Sequence, residues 1–166
     1  IALVAVFLIR NFLVQPFLVS GSSMEPNFAS GDYLLIDEAS YHVRDPKRGE
    51  VIVFHYPKDE SVYYIKRVIG LPGETVIVHN GGITIKNNEY PEGLVLEEGY
   101  LQGIKETTGE KQTTLNEGEY FVLGDNRPYS FDSRSWGNVN EKEIVGVVRM
   151  RLWPFNKVMA ITQPSY

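Results

Sequence analysis

The stretch VYYIKRVIGLPGETVIVHNGGITIK, residues 62–86, decides the fold class. Its apolar runs are short and rich in Val, Ile and Tyr, and residues that favour turns separate them, as is typical of β-strands. Asn80-Gly81-Gly82 suits a tight hairpin turn, because glycine adopts a positive φ without steric cost. We therefore expect a mostly β protein, with only a short helical piece near 38–42 after residue 20. The same pattern along the chain predicts strands at 17–20, 32–37, 50–56, 62–69, 75–79, 82–86, 119–123 and 144–152.

The composition excludes several classes of protein. A chain of 166 residues with 43% hydrophobic content is long enough to bury a core and has the size of a single domain. A net charge of −5 gives no basic surface for phosphates, so we expect no nucleic-acid partner. The chain has no cysteine, which excludes disulfides, thiol nucleophiles and cysteine-based zinc sites.

The N-terminal run IALVAVFLI, residues 1–9, is entirely apolar, and Arg10 ends it. A helix of this length covers only about 14 Å, whereas a bilayer core requires about 20 residues. We interpret residues 1–16 as the outer part of a truncated transmembrane anchor, with Arg10 reaching the interface. Two alternatives stay open: the apolar region of a cleaved signal peptide that ends near Ser20-Gly21-Ser22, or a buried core helix.

Residues 91–118 differ from the rest of the chain, because they are rich in Glu and Gly and contain few large apolar side chains after Leu101. This composition predicts a small β lobe inserted between core strands, although an ordinary surface loop fits it equally well. The predicted organisation is therefore a β core at 17–79 and 119–156, an inserted minor lobe at 80–118 and a C-terminal tail at 157–166.

The first of three segments that could carry chemistry is Ser20-Gly21-Ser22-Ser23-Met24-Glu25-Pro26, which follows the predicted anchor and a short strand. Small residues let the backbone approach a bound peptide closely, and Pro26 fixes the end of the turn. A serine here would lie near a membrane surface. Taken alone, a Ser-rich segment of this kind is more often an ordinary turn.

The second segment is the strand at 63–70, in which Tyr64, Lys66 and Val68 share one face because side chains alternate along a strand. A solvated lysine has a pKa of about 10.4, so Lys66 could act as a base near neutral pH only if its pKa were lowered. A reduction to about 8 corresponds to about 3 kcal/mol, and burial in an apolar site supplies shifts of that size. The alternative is an exposed lysine whose aliphatic stem lies along the strand.

The third segment, GDNRPYSFDSRSWG at residues 124–137, combines short polar side chains with opposite charges. This pattern is typical of a rigid hydrogen-bonded loop, in which Asp132 and Arg134 could form an ion pair and Ser130 could bind a nearby amine. A purely structural turn is the alternative.

Other catalytic classes fit the sequence less well. The three histidines, His42, His55 and His79, lack zinc-binding spacing, so we expect no metal and no cofactor. A Ser/His/Asp triad that uses His55 stays formally possible, because its members need only meet in space. The sequence contains no G-x-S-x-G motif and no phosphate-binding glycine loop.

In this order, the three segments resemble the signature motifs of bacterial type I signal peptidases, the Ser/Lys peptidases of family S26. The resemblance covers nearly the whole chain and implies a signal-peptidase-type β fold. It is carried by Ser-Met-x-Pro (Ser23, Met24, Pro26), by Tyr-x-Lys-Arg-Val-x-Gly-x-Pro-Gly (Tyr64 to Gly73), and by Gly-Asp-Asn-Arg followed by Ser-x-Asp-Ser-Arg (Gly124 to Arg127, Ser130 to Arg134).

The resemblance assigns roles to individual residues. Ser23 would be the nucleophile, and Lys66, as a neutral amine, would be its general base. Ser130 would orient the Lys66 amine, while Asp132 and Arg134 would pair beneath the site and hold the loop.

The resemblance also implies how the substrate is held. The backbone N–H of Ser23 would bind the oxyanion, and some family members add a hydroxyl two residues earlier, where this chain has Gly21. Family members bind the preprotein as an added β-strand and select small residues, usually Ala, at the first and third positions before the cut. The pockets for these residues would be lined here by Phe17, Val19, Ser20, Met24, Phe28, Tyr64 and Ile65.

The implied protein is a membrane-bound serine endopeptidase that removes signal peptides from secreted preproteins. Its catalytic part would lie on the outer side of the cytoplasmic membrane, on a single-pass anchor in contact with lipid. One rival is a Ser/Lys peptidase of the self-cleaving repressor type, although those proteins carry a DNA-binding domain instead of an anchor. The other is a membrane-tethered β module that binds peptides or partners without cutting them.

Overall fold

The structure is a computed structural model that describes residues 14–103, 106–164 and 166. The described part is mostly β, which confirms the fold class predicted from the sequence. Each predicted strand is present, with its ends shifted by at most three residues. The strands are β1 (Val14–Leu18), β2 (Tyr33–Asp37), β3 (Val51–Tyr56), β4 (Asp59–Gly70), β5 (Thr75–His79), β6 (Gly82–Lys86), β7 (Leu94–Val95), β8 (Lys111–Thr114), β9 (Glu119–Leu123), β10 (Val139–Asn140), β11 (Ile144–Trp153) and β12 (Met159–Ala160).

Helical structure in the described part is limited to single turns that connect strands. One turn of α-helix forms at Ser133–Trp136, where the side chain of Asp132 caps the first turn by accepting a hydrogen bond from the backbone N–H of Arg134. The 3-10 turns are Ala39–His42, Gly99–Leu101, Arg127–Tyr129, Glu141–Glu143 and Phe155–Lys157.

The strands form two antiparallel sheets. The larger sheet has eight strands in the order β1-β2-β11-β3-β4-β9-β10, with β12 paired to β11. The smaller sheet has four strands in the order β7-β6-β5-β8. Strand β4 is the longest, and it pairs with β3 from Asp59 to Arg67 but with β9 only from Arg67 to Gly70. The edge of residues 62–66 that faces away from β3 therefore has no partner among the described strands.

The large sheet buries both of its faces around β3 and β4. Alternation along β3 sends Val51 and Val53 to one apolar cluster and Ile52 and Phe54 to another on the opposite face. Burial of each such side chain stabilises the fold by about 1.5–3 kcal/mol. The strand that carries Lys66 is therefore rigidly packed from both sides.

The small sheet forms its own apolar cluster, which packs against the end of the large sheet. Val76 and Val78 of β5 meet Ile83 and Ile85 of β6, together with Phe121 of β9. The sequence analysis placed residues 75–79 in the core portion, whereas β5 pairs with β6 and β8 in the small sheet. The small sheet thus begins at Thr75, because the Asn80-Gly81 turn joins β5 and β6 in one hairpin.

The structure describes the end of the predicted anchor and most of the predicted C-terminal tail. Most of the predicted anchor, residues 1–16, lies outside the described residues, and its last three positions belong to β1. Within the described ranges, no helix combines the length and apolar character needed to cross a bilayer. The C-terminal tail packs on the core, where Gln163 donates a 2.6 Å hydrogen bond to Glu50.

Candidate active site

Ser23 and Lys66 meet in the structure. Nζ of Lys66 lies 2.7 Å from Oγ of Ser23, and it also donates a 3.0 Å hydrogen bond to the carbonyl oxygen of Ile65. Ser23 lies in the turn between β1 and β2, and Lys66 lies in the middle of β4, where it pairs with Ile52 of β3. A serine hydroxyl and a lysine amine are thus held within one hydrogen bond of each other.

The surroundings of Lys66 favour its neutral form. The residue is only 3% exposed, and its Nζ lies 5.2 Å from the centre of the Tyr64 ring. Burial lowers the pKa of Lys66 to about 8, although the negative charges of Asp132 and Asp125 raise it in part. No carboxylate of the described residues accepts a hydrogen bond from this amine. Lys66 can therefore lose its proton near neutral pH and accept one from Ser23.

Gly124 allows the third motif to approach the serine turn. A Cβ atom at this position would lie 2.1 Å from Oγ of Ser130 and 2.4 Å from the carbonyl oxygen of Ser23. Neither distance is compatible with a side chain, so only glycine fits here. The backbone N–H of Gly124 in turn donates a 3.1 Å hydrogen bond to the buried carboxylate of Asp132.

The predicted ion pair of Asp132 and Arg134 is present. Nε and Nη2 of Arg134 donate to the two carboxylate oxygens of Asp132 at 2.8 and 2.9 Å. Arg134 also donates to the carbonyl oxygens of Arg127 and Thr108, at 2.7 and 2.9 Å. The pair therefore joins the 124–137 loop to the inserted segment.

Ser130 lies beside Gly124, but its hydroxyl does not hydrogen bond to Lys66. Its Oγ is buried and has no hydrogen-bond partner among the described residues. The two hydrogen bonds of the Lys66 amine go to Ser23 and Ile65 instead. An orienting role for Ser130 stays a prediction.

The sequence analysis assigned no roles to three further polar residues around the site. Arg67 donates to both carboxylate oxygens of Asp125, at 2.8 and 2.6 Å, and stacks 4.2 Å from the centre of the Tyr100 ring. Asn126 donates to the backbone carbonyls of Ser22 and Ser23. All three belong to the motifs quoted above, so the sequence singled them out without giving them a role.

A cleft of about 360 Å³ opens onto Ser23 and Lys66. Four of the predicted pocket residues line it: Phe17, Ser20, Tyr64 and Ile65. The sequence analysis missed six others, several of them exposed and aromatic. These are Leu18, Gly21, Ser22, Tyr63, Tyr129 and Phe131.

The pocket prediction is wrong for its other three residues, Val19, Met24 and Phe28, because they do not line this cleft. They are 1–2% exposed and belong to the apolar cluster beneath it. Sδ of Met24 accepts a 3.4 Å hydrogen bond from the backbone N–H of Asp125, and the Phe28 ring lies 5.5 Å from the guanidinium of Arg151. These contacts direct the side chains away from the cleft and make them part of its support.

The described part of the chain contains no arrangement that fits a histidine-based triad or a metal site. Nδ1 of His55 lies 2.6 Å from the carbonyl oxygen of Glu60, and no hydrogen bond joins its ring to a described serine. No group of three His, Asp or Glu side chains within residues 14–103 and 106–164 could hold a metal ion. A serine hydroxyl within hydrogen-bond distance of a buried amine is the arrangement that a serine hydrolase with a lysine base requires.

Comparison with known proteins assigns this site to a family. Residues 1–153 match the family described as "Signal peptidase, peptidase S26". Signal peptidase I of Bacillus licheniformis is 36% identical over 162 residues, covering 95% of this chain and 87% of the relative. Signal peptidase IB of Staphylococcus aureus (strain COL) is 34% identical over 168 residues, with the same coverage. The crystal structure of a signal peptidase I from Enterococcus faecalis V583 matches with a TM-score of 0.55 and 36% identity, covering 63% of this chain and 97% of that one.

The chain therefore belongs to the signal peptidase family, peptidase S26. It is a serine endopeptidase of the class that removes signal peptides.

Proposed function

We propose that this protein cleaves signal peptides from exported preproteins with Ser23 as the nucleophile and Lys66 as the general base. The observation that carries the proposal is the 2.7 Å contact between Ser23 Oγ and a buried amine whose pKa is lowered to about 8. The mechanism depends on this contact, because the base must be close to the hydroxyl and must also be neutral.

The reaction proceeds in two halves. The Lys66 amine takes the hydroxyl proton as Ser23 Oγ bonds to the scissile carbonyl carbon, and the backbone N–H of Ser23 stabilises the negative oxygen. The lysine then gives that proton to the leaving amine as the peptide bond breaks, which leaves an ester on Ser23. In the second half, Lys66 takes a proton from water, hydroxide attacks the ester, and the proton returns to Ser23 as the signal peptide departs.

The open strand edges flanking the cleft support binding of an extended peptide. Strand β1 is an edge strand of the large sheet, and residues 62–66 of β4 have no partner on their outer side among the described strands. A preprotein segment between these two edges would gain backbone hydrogen bonds without a matching sequence. The walls formed by Phe17, Tyr64 and Ile65 leave room for small side chains, consistent with Ala at the first and third positions before the cut.

An exposed apolar row next to the cleft supports a location at the membrane surface. Leu18, Tyr33 and Trp153 pair across three adjacent strands, and each side chain is about half exposed. The ring of Phe155 packs edge-on against Trp153, with the ring centres 4.6 Å apart, and extends the row. Aromatic side chains of this kind favour the lipid interface. We infer that this row faces the outer surface of the cytoplasmic membrane, which would place the cleft beside the emerging preprotein.

The test is cleavage of a preprotein with an Ala-x-Ala site by the wild type, Ser23→Ala and Lys66→Ala. Both variants should lose turnover, by a factor on the order of 10⁴ or more, while they remain folded. Ser135→Ala and Lys58→Ala are matched controls, since both residues are exposed and lie outside the cleft. A Lys66→Ala variant with the wild-type rate would instead favour another base, and a wild type that binds preprotein without cleaving it would favour the rival binding module.

A further inference from the structure

Asn126 donates hydrogen bonds to two successive carbonyl groups of the turn that contains Ser23. Its side-chain Nδ2 donates to the carbonyl oxygen of Ser22 at 3.0 Å, and its backbone N–H donates to the carbonyl oxygen of Ser23, also at 3.0 Å. The backbone N–H of Glu25 makes a second, 3.1 Å hydrogen bond to the Ser22 carbonyl. The peptide units on both sides of Ser23 are therefore held from the 124–137 loop.

The carbonyl of Ser22 and the N–H of Ser23 belong to the same peptide unit. This unit is planar and trans, so its C=O and N–H point in opposite directions, and a bond that fixes one fixes the other. Within the described residues, the Ser23 N–H has no hydrogen-bond acceptor of its own. It is free to donate to a substrate oxygen, and the direction in which it points is set at the Ser22 carbonyl.

We propose that the Asn126 side chain is a positioning residue for the oxyanion donor. By donating to the Ser22 carbonyl it orients the Ser23 N–H, and it also polarises the shared peptide unit so that this N–H becomes a stronger donor. The inference rests on the proposed function, in which the Ser23 N–H stabilises the negative oxygen. The orientation of the Ser23 N–H matters more in this chain because Gly21 has no hydroxyl, whereas some family members supply a second oxyanion donor at that position.

Removal of the Asn126 side chain isolates this effect. The backbone bond from Asn126 to the Ser23 carbonyl persists in every variant, because it does not involve the side chain. Asn126→Asp keeps the shape of the side chain but removes the donor and places a carboxylate oxygen against a carbonyl oxygen. Asn27→Ala is the matched control: its amide also reaches the 124–137 loop, through Asp125 at 2.8 Å, but does not touch the carbonyls of Ser22 or Ser23.

The experiment measures kcat and KM for a preprotein across pH 6 to 10, together with inhibition by a peptide aldehyde, which forms a tetrahedral adduct with an oxygen in the oxyanion position. Loss of a direct oxyanion donor lowers kcat by about 10²–10³, so loss of its positioning should lower kcat by about 10- to 100-fold in Asn126→Ala. We expect a larger loss in Asn126→Asp. In Asn126→Ala, which adds no charge, KM and the pH midpoint should stay unchanged, and aldehyde affinity should fall by the same factor as kcat.

Two results would overturn the inference. One is an Asn126→Ala variant with the wild-type kcat and aldehyde affinity. The other is an equal loss of kcat in Asn27→Ala, accompanied by a lower melting temperature, since that would indicate general support of the loop. Cleavage that requires Ser23 but ignores Asn126 overturns the inference alone, whereas a Ser23→Ala variant with the wild-type rate overturns the proposed function as well.

Discussion

Arg67 and Asp125 form a bidentate ion pair immediately beside the contact between Ser23 and Lys66. Arg67 follows Lys66 on β4, Asp125 follows Gly124 in the loop, and their nitrogen and oxygen atoms lie 2.8 and 2.6 Å apart. Both side chains are almost fully buried. The ion pair therefore joins β4 to the 124–137 loop, and that loop contacts the turn of Ser23 through the backbone N–H of Asn126.

Loss of this ion pair should be costly. Arg67→Met leaves the buried carboxylate of Asp125 without its partner, which typically destabilises a protein by about 3–5 kcal/mol. Urea denaturation followed by fluorescence measures the free energy of unfolding. Arg149→Met is the matched control, because its ion pair with Asp37 is more exposed and should contribute about 0–1 kcal/mol. Equal losses in the two variants would contradict the prediction.

The rate of cleavage should depend on the ionisation of Lys66. The base must be neutral, and burial lowers the pKa of Lys66 to about 8, so kcat/KM should rise tenfold per pH unit below that value and level off above it. A pH–rate profile between pH 6 and 10 measures the midpoint. A midpoint near 10.4, the pKa of a solvated lysine, would show that the amine is not desolvated in the free enzyme.

The same lowered pKa means that Lys66 should destabilise the folded protein at neutral pH. Between pH 8 and about 10.4 the unfolded chain binds a proton at this lysine that the folded chain does not, so stability rises with pH across that window. Below pH 8 the folded state carries the full cost of a buried ammonium. Lys66→Met should therefore stabilise the protein by up to about 3 kcal/mol at pH 7, and by less at pH 10.

Denaturation of wild type and Lys66→Met at both pH values measures this difference. Lys58→Met, at an exposed turn, should change little. If Lys66→Met were less stable than the wild type at pH 7, the packing around the ammonium would have to outweigh its desolvation.

Gly124→Ala should damage the site through steric overlap alone. The new methyl group would lie 2.1 Å from Ser130 Oγ and 2.4 Å from the Ser23 carbonyl oxygen, so the two loops must separate. We expect cleavage to fall at least 100-fold and stability to fall by about 1–3 kcal/mol. Gly99→Ala is the control, since a methyl group there meets no atom within 4 Å. A fully active Gly124→Ala variant would contradict the close approach of these loops.

The apolar row should bind lipid independently of catalysis. Ser substitutions at both Trp153 and Phe155 should reduce sedimentation of the protein with phospholipid vesicles several-fold, because two exposed aromatic rings are lost. Hydrolysis of a short soluble peptide should not change. Val43→Ser, at an exposed position outside the row, serves as the control. Unchanged vesicle binding in the double variant would assign the lipid contact to another surface.

The sequence predicted the strands well because alternation and turn residues are local signals. It also identified Ser23 and Lys66, but only through motifs, since no local pattern shows that residues 43 positions apart will meet. The pocket was less predictable. Phe17 and Phe28 are equally apolar, yet Phe17, on the edge strand β1, lines the cleft, whereas Phe28, in the turn between β1 and β2, packs beneath it.

The polar contacts were least predictable. The bonds of Asn126 to Ser22 and Ser23 join turns that are about a hundred residues apart, and they depend on the absence of a side chain at Gly124. The hydrogen-bonding capacity of Asn126 is visible in the sequence, but its partners are backbone carbonyls, which every residue possesses. Only the three-dimensional arrangement selects among them.

Strand β4 is occupied along one part of its outer edge and vacant along the other, and the change occurs at Arg67, one residue after the lysine. A chain segment that extends along the vacant part must stop where Leu123, the last residue of β9, pairs with Arg67, so β9 limits how far a substrate can extend past Lys66. Only a segment with free backbone N–H and C=O groups can pair with this edge. Secondary structure within a mature, folded protein would by itself protect that protein from cleavage, whatever small residues its sequence contains.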